Sequence, residues 1–214
     1  MTRTLVVSAF EPEIEPLRRL VPGARGIVLA PVGIGAIDAA VGAARAIAAA
    51  RPTRVLFVGT AGIYGPAKLA RAAIGTAAVA GEIFCVSTAA LRGDAYLPAP
   101  TVLRSETSRR LRAALRAAAP GSTGPVAVAC PLAITRSVAL GRQIATATGA
   151  TLENLEAFAV ARAAATAGVE YGAVLGIANR VAPSGHDEWR RHHRDASRAA
   201  CQLVARLLDL APAS

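Results

Sequence analysis

Two acids and one amide define the chemistry open to this sequence. Glu156 stands at the head of an apolar helical stretch, LEAFAVARAAATAG, and Asn179 ends an apolar, strand-like run, EYGAVLGIAN. Glu13 follows the first apolar run, TLVVSAF, within EPEIE. In α/β sheets, ligands bind beyond the carboxyl ends of the strands. A carboxylate there can accept hydrogen bonds from a sugar diol, and an amide can both donate to and accept from the edge of a base. The three together suggest a nucleoside site. Gly59-Thr60-Ala61-Gly62, after the third apolar run, is their companion, because small residues let backbone come close to a ligand. Each feature also has a plainer reading. Glu13 and Glu156 could be first-turn acids that favour a helix dipole, and the GTAG run a simple tight turn. What favours a site is that all of them fall at one edge of one sheet.

The elements that must position these residues alternate along the chain. Residues 4–10, 26–32, 53–62, 124–133 and 170–182 read as buried strands, and 73–88 as one long or two paired strands. Helices are expected after Phe10 (EIEPLRRLV), over 33–51 ahead of Pro52, and over 105–119, 137–148, 156–168 and 187–210. LRGDAYLPAPTV (91–102) reads as a polar loop. This alternation predicts one α/β domain over residues 1–214, with a central, mixed but mostly parallel sheet flanked by helices. The length of 214 residues fits one such domain, and a hydrophobic content of 53% supplies a core.

Composition excludes several classes. No apolar run is long enough to cross a bilayer. The opening MTRTLVVSAFEPEIE lacks the features of a signal peptide, so a cytoplasmic protein is expected. The net charge of +10 is carried almost wholly by Arg, with Lys68 the single lysine, and is spread over expected helix surfaces. With aromatics at 4%, it does not read as a nucleic-acid groove. Cys85, Cys130 and Cys201 are odd in number and far apart, which reads as free thiols with no metal spacing. Gly33-Ile34-Gly35 lacks a dinucleotide fingerprint's third glycine, since position 38 is Asp38. No Walker sequence and no G-x-S-x-G elbow occur. His192 and His193 are adjacent on a helix and point different ways, so no metal or cofactor is expected.

Read whole, the chain resembles the purine nucleoside phosphorylase/nucleosidase superfamily, its nucleosidase branch most closely. LVVSAFEPEIEPL is similar to that branch's opening strand with its catalytic acid, which falls on Glu13. VGIGAIDAAVGAARAIAAARPTRVLFVGTAG is similar to the Gly-Ile-Gly helix and following strand, with Thr60, Ala61 and Gly62 at the ribose-side turn. IGTAAVAGEIF is similar to a strand that usually reads Gly-Asp-Val-Val-Val. LENLEAFAVARAA is similar to the ribose-binding signature, usually Met-Glu and here Leu155-Glu156. Methylthioadenosine/S-adenosylhomocysteine nucleosidases end the last strand in Ser-Asp, where this chain has Ala178-Asn179. Asn cannot act as an acid, and it fits a 6-oxopurine better than adenine. GIANRVAPSGHDEW and GDAYLPA look like the futalosine hydrolases of menaquinone biosynthesis, which release hypoxanthine. The extra hairpin of the methylthioadenosine enzymes is missing before GIVLAPVGIG.

The resemblance therefore implies hydrolysis of a purine nucleoside by water and a homodimer sharing a pocket wall. Glu13 and Asn179 would be catalytic. Thr60, Ala61, Gly62, Leu155, Glu156, Phe158 and Trp189 would bind substrate, with Phe158 placed against the base because the usual stacking position falls near Ala133. Tyr96, His186 and Trp189, flanked by Arg92 and Arg190, are candidates for the pocket of the sugar's 5′ group. A phosphate nucleophile would need converging Arg side chains, for which Arg25 and Arg71 are the only loose candidates. A phosphorolytic enzyme, a methylthioadenosine-type nucleosidase and a non-catalytic nucleoside-binding module remain open as alternatives.

Overall fold

The computed structural model describes residues 3–119 and 125–209. In chain order the elements are β1 (Thr4–Ser8), α1 (Glu11–Leu20), β2 (Ile27–Pro31), α2 (Ala36–Ala50), β3 (Arg54–Ile63), α3 (Ala67–Ala73), β4 (Ala77–Val86), α4 (Thr88–Arg92), β5 (Arg104–Glu106), α5 (Arg109–Ala117), β6 (Val126–Pro131), α6 (Val138–Thr148), β7 (Leu152–Glu153), α7 (Ala157–Thr166), β8 (Glu170–Arg180) and α8 (Gly185–Leu207). This is a single α/β domain with a mixed sheet flanked by helices. Parallel pairings (β1 with β2 and β3, β3 with β8, β4 with β6, β6 with β7) outnumber the antiparallel ones (β3 with β7, β4 with β5 and β8).

The central strands are apolar on both faces, as strands covered on two sides must be. Leu5, Val7, Phe57, Ala173 and Leu175 face one core, with Ala39, Ala43 and Ile47 of α2 and Val160 and Ala164 of α7. Their neighbours Val6, Leu56, Val58 and Val174 face the opposite core, with Ile14 and Leu17 of α1, Leu111 and Leu115 of α5, and Cys201 and Val204 of α8. The period-2 alternation thus splits each strand between two helical layers. Pairing also closes on itself: β3 joins β8, β8 joins β4, β4 joins β6, β6 joins β7, and β7 returns to β3. The two-residue β7 completes this circuit and carries Glu153 into the same end of the sheet as Asn179.

Several expected boundaries change. The helix expected over 33–51 begins only at Ala36, because Gly33 and Gly35 adopt positive φ and form a turn ahead of it. The helix expected over 105–119 begins at Arg109, where the Ser108 hydroxyl accepts from Leu111 N at 3.4 Å. Residues 104–106 instead pair with β4. The strand expected to reach 88 stops at Val86, and α4 takes over. The short α3 and β7 were not expected. Residue 124 of the strand expected over 124–133 and residue 210 of the last expected helix lie outside the described residues. All three cysteines are free, with Cys130 and Cys201 buried. No described helix is long and apolar enough to cross a membrane.

Candidate active site

The carboxyl ends of β1, β3, β7 and β8 open into a cavity of about 280 Å³. Its wall includes Glu13, Thr60, Ala61, Gly62, Leu155, Glu156, Asn179 and Trp189. Eight of the nine proposed site residues therefore come together. Phe158 does not join them: it sits in the first turn of α7 and packs against the α2–α7 core. The aromatic groups on the cavity wall are Phe10, His186 and Trp189. His186 and His193 flank Trp189 in a stack, with ring centroids 5.9 and 4.5 Å away. Of the candidates for the 5′ pocket, His186 and Trp189 line the cavity, whereas Tyr96, Arg92 and Arg190 are exposed and do not.

Glu13 is delivered by the first turn of α1, and only 4% of its surface is exposed. Its Oε1 accepts from Thr60 N at 2.8 Å and from Thr60 Oγ1 at 2.7 Å. Trp189 Nε1 donates to the same hydroxyl at 3.0 Å. An indole N–H can only donate, so it fixes the hydroxyl proton toward Glu13. Oε1 is thereby filled by two donors. Oε2 is buried without a partner and is the oxygen left to take or give a proton. Burial pushes the Glu13 carboxyl up to about 7, with Glu156 adding to the rise and the Thr60 donors opposing it. A carboxyl near 7 is matched to general base work at neutral pH.

Glu156 stands at the N-terminal boundary of α7, is 5% exposed, and is held by two donors. Gly35 N donates to Oε1 at 2.9 Å and Asn154 Nδ2 donates to Oε2 at 3.0 Å. Burial raises its pKa as well, and the Gly35 and Asn154 donors resist the rise. Asn154 is the linchpin of this corner. Its Oδ1 accepts from the N–H groups of Glu156 and Ala157, and its Nδ2 also donates to the Thr60 carbonyl at 3.0 Å. A continuous chain of hydrogen bonds thus runs Glu13–Thr60–Asn154–Glu156. It fixes two acids on one cavity wall, where both face whatever cationic character develops between them.

Asn179 is the penultimate residue of β8, next to a register shift between Ala61 and Gly62 that re-aims both strand ends. Its Nδ2 donates to the Arg180 carbonyl at 2.9 Å, which fixes which end of the amide carries the protons. A side chain at Gly62 would come within 3.1 Å of this nitrogen and 2.9 Å of Val181, so the amide's place depends on glycine there. Sequence reasoning missed Phe10, Thr135, Glu153 and Asn154. For the last two a signal existed, since LENLE packs two acids and an amide into the approach to an apolar helix. Neither Arg25 nor Arg71 lines the cavity, and among the described residues no Lys or Arg lines it. Among the described residues no cluster of three or more His, Cys, Asp or Glu is placed to hold a metal ion.

The same fold is found in solved structures at low identity. Futalosine hydrolase of Helicobacter pylori superposes with a TM-score of 0.85 at 17% identity, covering 97% of each chain. The 5′-methylthioadenosine/S-adenosylhomocysteine nucleosidase of Neisseria meningitidis, in complex with methylthio-immucillin-A, gives 0.83 at 20%, covering 97% of this chain and 99% of that one. The S-adenosylhomocysteine nucleosidase of Streptococcus pyogenes, in complex with 5-methylthiotubericidin, gives 0.83 at 19%, covering 99% and 98%. No curated protein matches the chain. The sequence model of the phosphorylase superfamily matches residues 11–209. With nearly its whole length matched, the chain belongs to the phosphorylase superfamily.

Proposed function

We propose that the protein is a cytoplasmic nucleosidase that hydrolyses the N-glycosidic bond of a 6-oxopurine nucleoside, with futalosine the preferred substrate and hypoxanthine the released base. The observation that carries this reading is the Glu13–Thr60–Asn154–Glu156 chain on the wall of a cavity that has Asn179 in its lining and no Lys or Arg. Glu13 Oε2 takes a proton from water as the water oxygen bonds to the anomeric carbon. The bond from that carbon to the purine nitrogen breaks, and its electron pair leaves with the base. Glu156 accepts hydrogen bonds from the ribose hydroxyls, and its charge favours the cationic sugar of the transition state. Asn179 donates to the base as negative charge builds there, and the departing purine takes its proton from solvent. With no cationic side chain in the lining to gather phosphate, water is the preferred nucleophile. A non-catalytic binding module has no need of a buried carboxylate with one free oxygen.

The test is release of free base from futalosine, inosine and methylthioadenosine without phosphate. Futalosine is expected to be cleaved fastest, and equal or faster cleavage of methylthioadenosine would overturn the 6-oxo preference. Asn179→Asp is expected to shift the preference toward adenine nucleosides. An unchanged ratio would remove Asn179 from base selection.

The enzyme is proposed to work as a homodimer. Ile34 and Ile134 line the cavity yet are 63% and 59% exposed, and Ile37 and Leu132 continue the apolar surface beside them. An open apolar rim of this kind fits a pocket wall completed by a second copy. Sedimentation at micromolar concentration should give a dimer, and a fully active monomer would refute it.

A further inference from the structure

His186, Trp189 and His193 fall three and four positions apart on α8, so their side chains share one face of the helix. Their rings stack. The Trp189 indole is inclined by 13° to His186 and by 20° to His193. His193 Nδ1 stands 3.1 Å from the Trp189 carbonyl. A carbonyl can only accept, so this nitrogen carries a proton and donates, which pins the His193 ring. Phe10 packs on the indole as well, tilted, with centroids 6.3 Å apart. Held among three rings, the indole aims its one polar atom at Thr60 Oγ1.

That aim matters because of what Thr60 holds. A hydroxyl has one proton and two lone pairs. While Thr60 Oγ1 accepts from Trp189, its proton goes to Glu13 Oε1, and Thr60 N fills the same oxygen. Without the indole, the hydroxyl is free to turn and accept from Glu13 or from water, and Oε1 keeps one donor. Which Glu13 oxygen is left bare therefore depends on Trp189. The same helix also grips the backbone of Glu13, since Cys201 Sγ donates to its carbonyl at 3.2 Å. The hydrolytic mechanism above gives Trp189 no part.

We propose that Trp189 is a positioning residue for the general base: through the Thr60 hydroxyl it keeps Oε1 of Glu13 filled and Oε2 the oxygen that takes the proton. This rests on the nucleosidase reading above and deepens it. Phenylalanine can fill the same stack but has no N–H to offer. Two consequences of opposite sign then separate the relay from mere packing. The Thr60 donors lower the Glu13 pKa against the burial that raises it. Losing the indole N–H weakens the hydroxyl's hold, so the carboxyl should titrate higher still. Losing only packing would admit water, relieve the burial and bring it down. The ionisable groups around Glu13 are known. Glu156 faces it from the start of α7 and adds to the rise. The Cys201 thiol on α8 is pushed up to about 12 and stays neutral. On α1 itself, Glu11 and Glu15 are exposed and paired with Arg18 and Arg19. His186 and His193 remain, both against Trp189.

Two measurements test it. The first is kcat/KM against pH with inosine for the wild type, Trp189→Phe, Thr60→Val and the double variant. Trp189→Phe is expected to move the acidic limb up by roughly 0.5 to 1 in pH, about what one net hydrogen bond is worth. In the Thr60→Val background the same substitution should move it no further, because the hydroxyl it acts through is gone. A limb that stays put or moves down in Trp189→Phe, or an equal second shift in the double variant, overturns the relay. The second needs no turnover. Trp189 is the chain's one tryptophan, so its indole N–H gives a single nuclear magnetic resonance signal. This signal should move with pH as Glu13 titrates, and that part of the movement should vanish in Glu13→Gln. What survives in the variant belongs to His186 and His193. A signal that titrates identically in both proteins overturns the proposal, even where Trp189→Phe fails to fold. Absence of base release from every purine nucleoside would instead strike the hydrolytic reading, and the indole signal would still judge the link to Glu13.

Discussion

Glu13→Gln should lose roughly 10²- to 10⁴-fold in turnover and, at pH 8, unfold at higher denaturant than the wild type. Both effects have one cause. Oε2 is the only oxygen of Glu13 free to accept a proton from water, and an amide in its place is no base. The same burial that raises the carboxyl to about 7 destabilises the native state whenever the group is ionised. In the unfolded chain the group titrates at its ordinary value of 4.5. Below that pH both states are protonated and nothing is lost. Between 4.5 and about 7 the native state holds a proton that the unfolded state has released, so stability falls as pH rises. Above that window the full cost, on the order of 3 kcal/mol, is present. The variant has no such group, so its advantage over the wild type should be absent near pH 4 and grow to pH 8. Wild-type kcat/KM should likewise decline as pH falls through about 7, where Glu13 takes up its proton. Urea midpoints for both proteins across this range, alongside the pH–rate profile, are the measurement. A variant with near-normal turnover would assign the water to another base, and a stability gap that did not widen with pH would contradict the strained carboxylate.

The parts of this site legible in the sequence are those set by local pattern. Glu13, Thr60 and Asn179 each follow a long apolar run, and the carboxyl end of a buried strand is a place the pattern locates well. Glu156 was legible because an acid opening an apolar helix stands out. LENLE marks Glu153 and Asn154 as polar residues ahead of an apolar helix, but not their place at the cavity, because β7 is two residues long, too short for any periodicity, and its pairing with β3 joins residues some 90 positions apart in the chain. The role of Asn154 exists only once the Thr60 carbonyl and Glu156 are in place around it. Phe158 packs against the core rather than lining the cavity, and a helix only ten residues long and apolar almost all round does not announce which side faces the cavity. Tyr96 and Arg92 belong to a segment whose sequence carries no period at all. The start of α2 was blurred because the Ala-rich run after Gly35 hides a turn made by backbone conformation, and that turn aims Gly35 N at Glu156.

Glu156→Gln should lower turnover by about 10²- to 10³-fold and move the acidic limb of the remaining activity to lower pH. The loss of rate follows from charge and from bonding. Removing the anion withdraws electrostatic support from the cationic sugar. The amide also cannot satisfy both donors that hold the carboxylate. Gly35 N and Asn154 Nδ2 each need an acceptor, and glutamine offers one oxygen. Whichever way the amide turns, its NH₂ meets a donor. If it meets Asn154, that side chain is pushed off the Thr60 carbonyl, and the disturbance reaches the hydroxyl that holds Glu13. The shift in pH follows from the charge alone. Glu156 is one of the groups that raise the Glu13 carboxyl, so neutralising it should let Glu13 ionise at lower pH. A merely structural role for Glu156 would reduce the rate without moving the limb. The discriminating measurement is kcat/KM against pH for the folded variant. A limb that stayed where the wild type has it would break the link between the two acids, and an undiminished rate would take the sugar hydroxyls away from Glu156.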